Sequence, residues 1–291
     1  MTVCIAGINY SNSQPLIIAA CDRKVSFFGG WASAEGIAMK LRGLNDDWSV
    51  MFSGPNSPMT ALVDAISERT AKARPRTYRD FARLCRTVYR EERKPLIESD
   101  VLGKYDVDSY TDYMQLKKSD PAFYEELTKK IKQEEEEWNL LFAGFDKERR
   151  PHIFTIAESG EIGFSDIQGY AVIGSGALRA LLSLSSYPFR KRLGLSEAVF
   201  AIAASKFAAE AADGVGEETV LTILEPKTPE SPTFGDDVIR DLRIQWKNLP
   251  RFPKDATKTI WEEIVSFQQY GFLSSNKSLK PSASERVLFA G

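Results

Sequence analysis

A chain of 291 residues with 43% apolar and 27% charged residues has a globular composition, which excludes disorder and fibrous repeats. At this size folding buries roughly 75% of the unfolded surface, so the core needs neither disulfides nor a metal. Lys plus Arg number 38 against 40 Asp plus Glu, a net charge of −2 that gives no basic footprint for nucleic acid and no polybasic membrane anchor.

The start, Met1-Thr2-Val3-Cys4, lacks the basic region of a secretory signal, and no apolar run approaches the ~18 residues of a membrane span. Three cysteines without C-x-x-C spacing (Cys4, Cys21, Cys85) suit a reducing, cytoplasmic setting.

Val3 to Tyr10 and Leu16 to Cys21 read as a β-hairpin around a polar turn. Leu16-Ile17-Ile18-Ala19-Ala20-Cys21 is apolar on both faces, as a strand covered on both sides must be. A third strand is expected from about Gly36 to Leu44, with Lys40 on the same face as Ala38 and Arg42, and a fourth from Trp48 to Ser53. Ser57-Pro58 opens a helix running to Pro75, and Thr77 caps another with a Phe81, Leu84, Val88, Tyr89 core stripe.

From about Pro95 to Glu137 charged, tyrosine-rich sequence reads as a mainly helical insertion, with one helix opening at Asp120-Pro121. The second half repeats the order of the first: strands at 138–145, 152–158, 160–164 and 170–173, helices at 177–186 and 196–212, the latter capped by Ser196, then a strand at 219–224. Prolines at 226, 229 and 232 mark a linker into a C-terminal extension with a helix near Ala256 to Gln269. Strands apolar on both faces beside segregated helix pairs predict an α+β, four-layer α-β-β-α sandwich over 1–225, with an insertion at 95–137 and an extension at 226–291.

His152 is the single histidine and sits at a strand entry, where a structural role fits better than a catalytic one. Without it, Ser-His-Asp and Cys-His chemistry and a His-ligated zinc are out of reach, so a hydrolase would need a lysine or a chain-terminal amine as base. Thr2 offers that amine: once Met1 is removed, hydroxyl nucleophile and base share one residue. In the hairpin, partners should sum to about 25, which sets Thr2 opposite Arg23 and close to Asp22. If the third strand neighbours the hairpin, Lys40 could reach the Thr2 hydroxyl, and Gly54, between a strand and a helix, could supply an oxyanion-binding N–H. Gly174-Ser175-Gly176 lacks the third glycine and the β-α-β context of a dinucleotide loop, so no cofactor is expected.

Thr2-Val3-Cys4-Ile5-Ala6-Gly7, Ala20-Cys21-Asp22-Arg23, Lys40-Leu41-Arg42-Gly43-Leu44, Phe52-Ser53-Gly54, Leu141-Phe142-Ala143-Gly144-Phe145-Asp146, Pro151-His152-Ile153-Phe154, Ile173-Gly174-Ser175-Gly176 and Ala211-Ala212-Asp213-Gly214 follow one another in an order that resembles the proteasome β-subunit family of N-terminal nucleophile hydrolases, the bacterial two-component peptidase included. The resemblance covers roughly 2–225 without the insertion. It implies Thr2 as nucleophile, Asp22 orienting Lys40, Lys40 tuning the hydroxyl, Gly54 holding the oxyanion, and Ser175 with Asp213 holding the terminal amine. It implies a threonine peptidase acting on peptides or unfolded protein within a homo-oligomeric ring, with an unfoldase ATPase as partner. Val25, Phe52 and Arg42 would border the substrate pocket by the same analogy. Gly216 stands where the family usually carries a serine. Two other readings stay open on this evidence: a non-catalytic assembly subunit of the same fold, and an amidase for small molecules.

Overall fold

The computed structural model describes residues 2–10, 14–27, 32–34, 40–54, 56–135, 138–186, 189–226 and 233–249. Its strands are β1 (Cys4–Asn9), β2 (Leu16–Asp22), β3 (Val25–Phe27), β4 (Ala32–Ala34), β5 (Leu41–Gly43), β6 (Trp48–Ser53), β7 (Asn139–Phe145), β8 (Pro151–Ile156), β9 (Ile162–Phe164), β10 (Tyr170–Ile173) and β11 (Thr219–Leu224). Its helices are α1 (Asn56–Ala73), α2 (Tyr78–Asp100), α3 (Tyr110–Ser119), α4 (Pro121–Glu135), α5 (Ala177–Ser186), α6 (Leu195–Ala209) and α7 (Asp236–Asn248).

Two antiparallel sheets dominate, in the orders β10-β1-β2-β11 and β5-β6-β7-β8-β9. Every residue of β1 and β2 is buried, because each strand has a covered face on both sides. One face meets the second sheet through Cys4, Ala6, Ile17 and Ala19 against Met51, Leu141 and Ile153. The other meets α5 and α6 through Val3, Ile5, Ile18 and Ala20 against Ala180, Ile202 and Phe207. The outer face of the second sheet packs Val50, Phe142 and Phe154 on Leu62, Ile66, Phe81 and Tyr89 of α1 and α2. This is the α-β-β-α sandwich that the apolar pattern implies.

The hairpin register runs from Cys4↔Cys21 to Asn9↔Leu16, the expected sum of 25. In the second sheet Trp48 pairs with Gly144 and Gly144 with His152, whereas Ser53 pairs with Asn139. Ser53 and the His152 row therefore mark opposite ends of this sheet, about 17 Å apart over five strand steps.

Several elements differ from the sequence reading. Of the expected third strand the described part is β5, which begins just after Lys40, while residues 36–39 of the expected range lie outside the described residues. A short β3–β4 hairpin precedes it, pairing Val25 with Ala34. Helix α1 starts one residue before Ser57, which leaves Pro58 in the first turn, where N–H groups have no intrahelical partner anyway. Ser196 does not cap α6: the helix opens at Leu195, and the Glu197 carboxylate turns back to accept the Gly194 N–H (3.2 Å).

The insertion is helical, but α2 passes straight through Pro95 to Asp100. The lost bond falls on the exposed side, and Ile97, Val101 and Leu102 anchor the far end in a small core with Tyr113, Leu127 and Ile131. Past the prolines, α7 lays Ile239, Leu242 and Trp246 on the α6 side of the molecule, a helix the sequence reading did not anticipate. Helix α6 is consequently apolar nearly all round, as a helix covered on several sides should be. The helix expected at 256–269 lies outside the described residues.

Candidate active site

The site forms where the ends of β1, β2, β5 and β11 converge. Asp22 closes β2 and is fully buried beside Thr2, which lies two residues before β1 and is 2% exposed. Main-chain pairing fixes this juxtaposition, since Asp22 N donates to Val3 O (3.3 Å) and Phe52 N to Lys40 O (3.2 Å).

The Thr2 hydroxyl donates to Asp22 Oδ1 in a short hydrogen bond. Lys40 Nζ lies 2.6 Å from Thr2 Oγ1 and 2.9 Å from Asp22 Oδ2. The Lys40 side chain is 8% exposed and that of Asp22 0%, so the pair is largely desolvated. Burying two charges is unfavourable unless their remaining sites are satisfied. Here the carboxylate is: Val3 N (2.9 Å), Lys24 N (3.2 Å) and Gly216 N (3.3 Å) all donate to it. Gly216 was marked in the sequence for lacking a hydroxyl, yet its backbone N–H reaches Asp22.

The loop between β10 and α5 supports Thr2 from the other side. Thr2 N donates to Ser175 Oγ (3.1 Å), and Gly176 N donates to Thr2 O (3.1 Å). Gly174 sits at φ 95°, and a Cβ there would overlap the Thr2 carbonyl, so the glycine permits this close approach. The Gly-Ser-Gly that does not fit a dinucleotide loop is thus a cradle for Thr2, just ahead of β1.

Gly54 follows β6 at φ 120°, a conformation that side chains rarely adopt, and is half-buried two residues before α1. Its position near the positive end of α1 favours a developing negative charge. Asp213 is not brought into the group: it is exposed, with no hydrogen bond or ion pair among the described residues. Val25 is outside those whose side chains are described, and Arg42 pairs with Asp64 at the surface (2.7 Å).

His152 belongs to a separate cluster at the opposite sheet end. Its Nδ1 is 2.8 Å from Asp166 Oδ2, its Nε2 3.2 Å from Asp146 Oδ2, and its ring stacks on Tyr78 at 3.8 Å. Burial opposes its charge, but hydrogen bonds to Asp166 and Asp146 outweigh it and raise its pKa. Burial likewise raises the Asp146 carboxyl, yet hydrogen bonds from Arg150 and His152 bring it down to about 2. Among the described residues, no group of His, Cys, Asp and Glu is arranged to hold a metal, and no helix is long and apolar enough to cross a membrane.

The sequence reading missed one cluster beside the site. Lys206 of α6 is fully buried and donates to Glu210 Oε1 (2.6 Å), Gly216 O (2.8 Å) and Glu217 O (2.8 Å). A lysine inside the Ala201–Ala209 apolar stretch, four residues before a glutamate, was the available signal.

No protein-family model matches the chain, and no curated protein matches it. Among solved structures it is similar to a mutant of Anbu from Hyphomicrobium sp. strain MC1, with a TM-score of 0.59 and 18% identity over 91% of this chain and 99% of that one. It is also similar to the eukaryotic HslV from Trypanosoma brucei, with a TM-score of 0.51 and 14% identity over 77% of this chain and 99% of that one. These likenesses identify the fold as that of proteasome-type N-terminal nucleophile hydrolases.

Proposed function

We propose that this chain, built on the proteasome-type fold, is a threonine peptidase whose nucleophile is the Thr2 hydroxyl, exposed to its own amine by removal of Met1. The observation that carries this reading is the buried triad in which Lys40 Nζ lies 2.6 Å from Thr2 Oγ1 and 2.9 Å from Asp22 Oδ2. An ammonium at that distance favours the oxyanion form of the hydroxyl, and Asp22 orients both groups.

In the reaction Thr2 Oγ1 attacks the substrate carbonyl carbon while its proton passes to the Thr2 amine. The carbonyl electron pair moves onto oxygen, and the Gly54 N–H donates a hydrogen bond to that oxyanion. Collapse breaks the C–N bond, the amine returns its proton to the leaving nitrogen, and an ester remains on Thr2. Water then adds to the ester carbon while the same amine takes its proton, and collapse breaks the C–Oγ1 bond as the amine returns that proton to Thr2 Oγ1, releasing the acid product. Ser175 suits the amine because a hydroxyl both donates and accepts, and it already lies 3.1 Å from Thr2 N.

The finer expectations belong to the same reading: peptide or unfolded-protein substrates, a homo-oligomeric ring, an unfoldase ATPase partner and a cytoplasmic location, with no cofactor. A second reading, a non-catalytic assembly subunit, is favoured by one observation: exposed Asp213 does not reach the Thr2 nitrogen.

Intact mass of the purified protein, combined with hydrolysis of a fluorogenic peptide library, separates the two. The peptidase reading expects a species lacking Met1 and turnover that Thr2→Ala abolishes while leaving the fold intact. Retained Met1, or undiminished turnover by the Thr2→Ala protein, overturns it. Cleavage of simple amides without any peptide turnover identifies the small-molecule amidase instead.

A further inference from the structure

The turn that reaches Asp22 is itself held by buried charge. Gly216 donates its N–H to Asp22 Oδ2 (3.3 Å), and its carbonyl accepts from Lys206 Nζ (2.8 Å). The next carbonyl, of Glu217, accepts from both Lys206 Nζ (2.8 Å) and Arg243 Nη2 (2.6 Å). Arg243 also forks onto Glu210, with Nη2 2.9 Å from Oε1 and Nη1 in a short contact with Oε2. Its guanidinium lies over the Phe207 ring at 4.3 Å.

The arrangement is fully employed. A lysine ammonium has three protons, and those of Lys206 meet Glu210, Gly216 O and Glu217 O. Burial lowers the Lys206 pKa, against the opposing pull of Glu210. The side chains of Lys206, Glu210 and Arg243 are 0%, 11% and 19% exposed, so their interactions are little screened by solvent. A carbonyl turn that only closed a loop would not need two cations brought to it by two different helices, one of them at the far end of the described chain.

We infer that Arg243, acting with Lys206 and Glu210, is a positioning residue for the site: the three fix the 216–217 turn so that the Gly216 N–H stays on the Asp22 carboxylate. Where the family usually sets a serine, this chain presents only backbone, and the α6–α7 clamp supplies the rigidity that a backbone donor requires. Helix α7 is thereby tied to the catalytic group by one chain of contacts: Arg243, Glu217 O, Gly216 N–H, Asp22. The catalytic consequence rests on the peptidase reading, whereas the hold on the turn does not.

The test compares the full chain with Arg243→Ala, Arg243→Lys and Glu210→Gln, the last keeping side-chain shape should the alanine variant fold poorly. Hydrogen exchange of peptides spanning 213–218 reads the turn, and fluorogenic peptide hydrolysis reads the site. Arg243→Ala and Glu210→Gln should speed exchange in 213–218 by roughly tenfold while the β1–β2 hairpin keeps its protection. They should lower kcat by about 10- to 100-fold with KM unchanged, the scale of a small misplacement in a catalytic group. Arg243→Lys should restore part of both, because one donor to Glu217 O survives without the planar fork. Unchanged exchange in 213–218 overturns the inference, as does faster exchange with an unaltered kcat. If the parent protein hydrolyses nothing, the peptidase reading falls and the exchange result alone decides whether the clamp holds the turn.

Discussion

Lys40 and Asp22 form an ion pair 2.9 Å long in which neither partner depends on solvent, but they do not depend equally on one another. Asp22 also accepts from three backbone N–H groups, of Val3, Lys24 and Gly216. Among the described residues, Lys40 has no ion-pair partner besides Asp22.

Neutralising each partner in turn should therefore give unequal losses. Asp22→Asn strands a buried ammonium and should cost about 3–5 kcal/mol of folding stability. Lys40→Met leaves a carboxylate still hydrogen-bonded by backbone and should cost about 1–3 kcal/mol. Both should abolish turnover. Urea unfolding of the two variants checks the asymmetry, and equal losses would refute the account of how the carboxylate is satisfied.

Two glycines make a paired prediction. Gly174→Ala meets a positive φ and the Thr2 carbonyl at once, so it should cost about 2 kcal/mol or more and displace Thr2 from the triad. Gly43→Ala adds a methyl into open space on β5 and should change stability by less than about 1 kcal/mol. Thermal unfolding with peptide hydrolysis tests the pair: a silent Gly174→Ala would mean the loop does not brace Thr2.

These effects also show what the sequence could disclose. The hairpin was legible because two runs of apolar residues leave one workable register, and that register alone brings Thr2 and Asp22 together. Lys40 is legible in the sequence only on the condition that its strand neighbours the hairpin; β5 pairs instead with β6 in the other sheet, and Lys40 reaches Thr2 from there. The hidden parts depend on contacts distant in sequence. Pro95 looked like a helix end, since its tolerance relies on where Ile97 and Val101 are anchored. Helix α7 was masked by the prolines before it, although Ile239, Leu242 and Trp246 repeat at helical spacing. Judged by side chains Gly216 lacks the donor that a serine would offer, and only the backbone geometry shows one there.

The insertion should behave as a local unit with its own small core. Leu127 is fully buried among Ile97, Leu102, Tyr113 and Ile131, so Leu127→Ala should cost about 2–5 kcal/mol there. Hydrogen exchange should rise across 102–133 while β1, β2 and β7 remain protected and peptide turnover persists. Loss of protection throughout the sandwich would show that the insertion core is continuous with the main one.

The His152 cluster gives a pH dependence whose sign is fixed. The folded histidine titrates above its ordinary value near 6.5, because Asp166 and Asp146 favour the charged ring more than burial opposes it. Its contribution to stability is fully present below pH ~6.5 and is lost as pH rises through the raised folded value. His152→Gln should therefore be less stable than the parent at pH 5.5, with the gap narrowing by pH 8.5. The carboxylates left behind keep other donors, Arg150 for Asp146 and Ile153 N for Asp166, so the variant should still fold. Turnover should be unaffected, since the pairing of Trp48, Gly144 and His152 lies at the sheet end opposite Ser53. Urea midpoints of both proteins across that pH range make the comparison, and a gap that is constant or widens with pH would show that the ring is not held in its charged form.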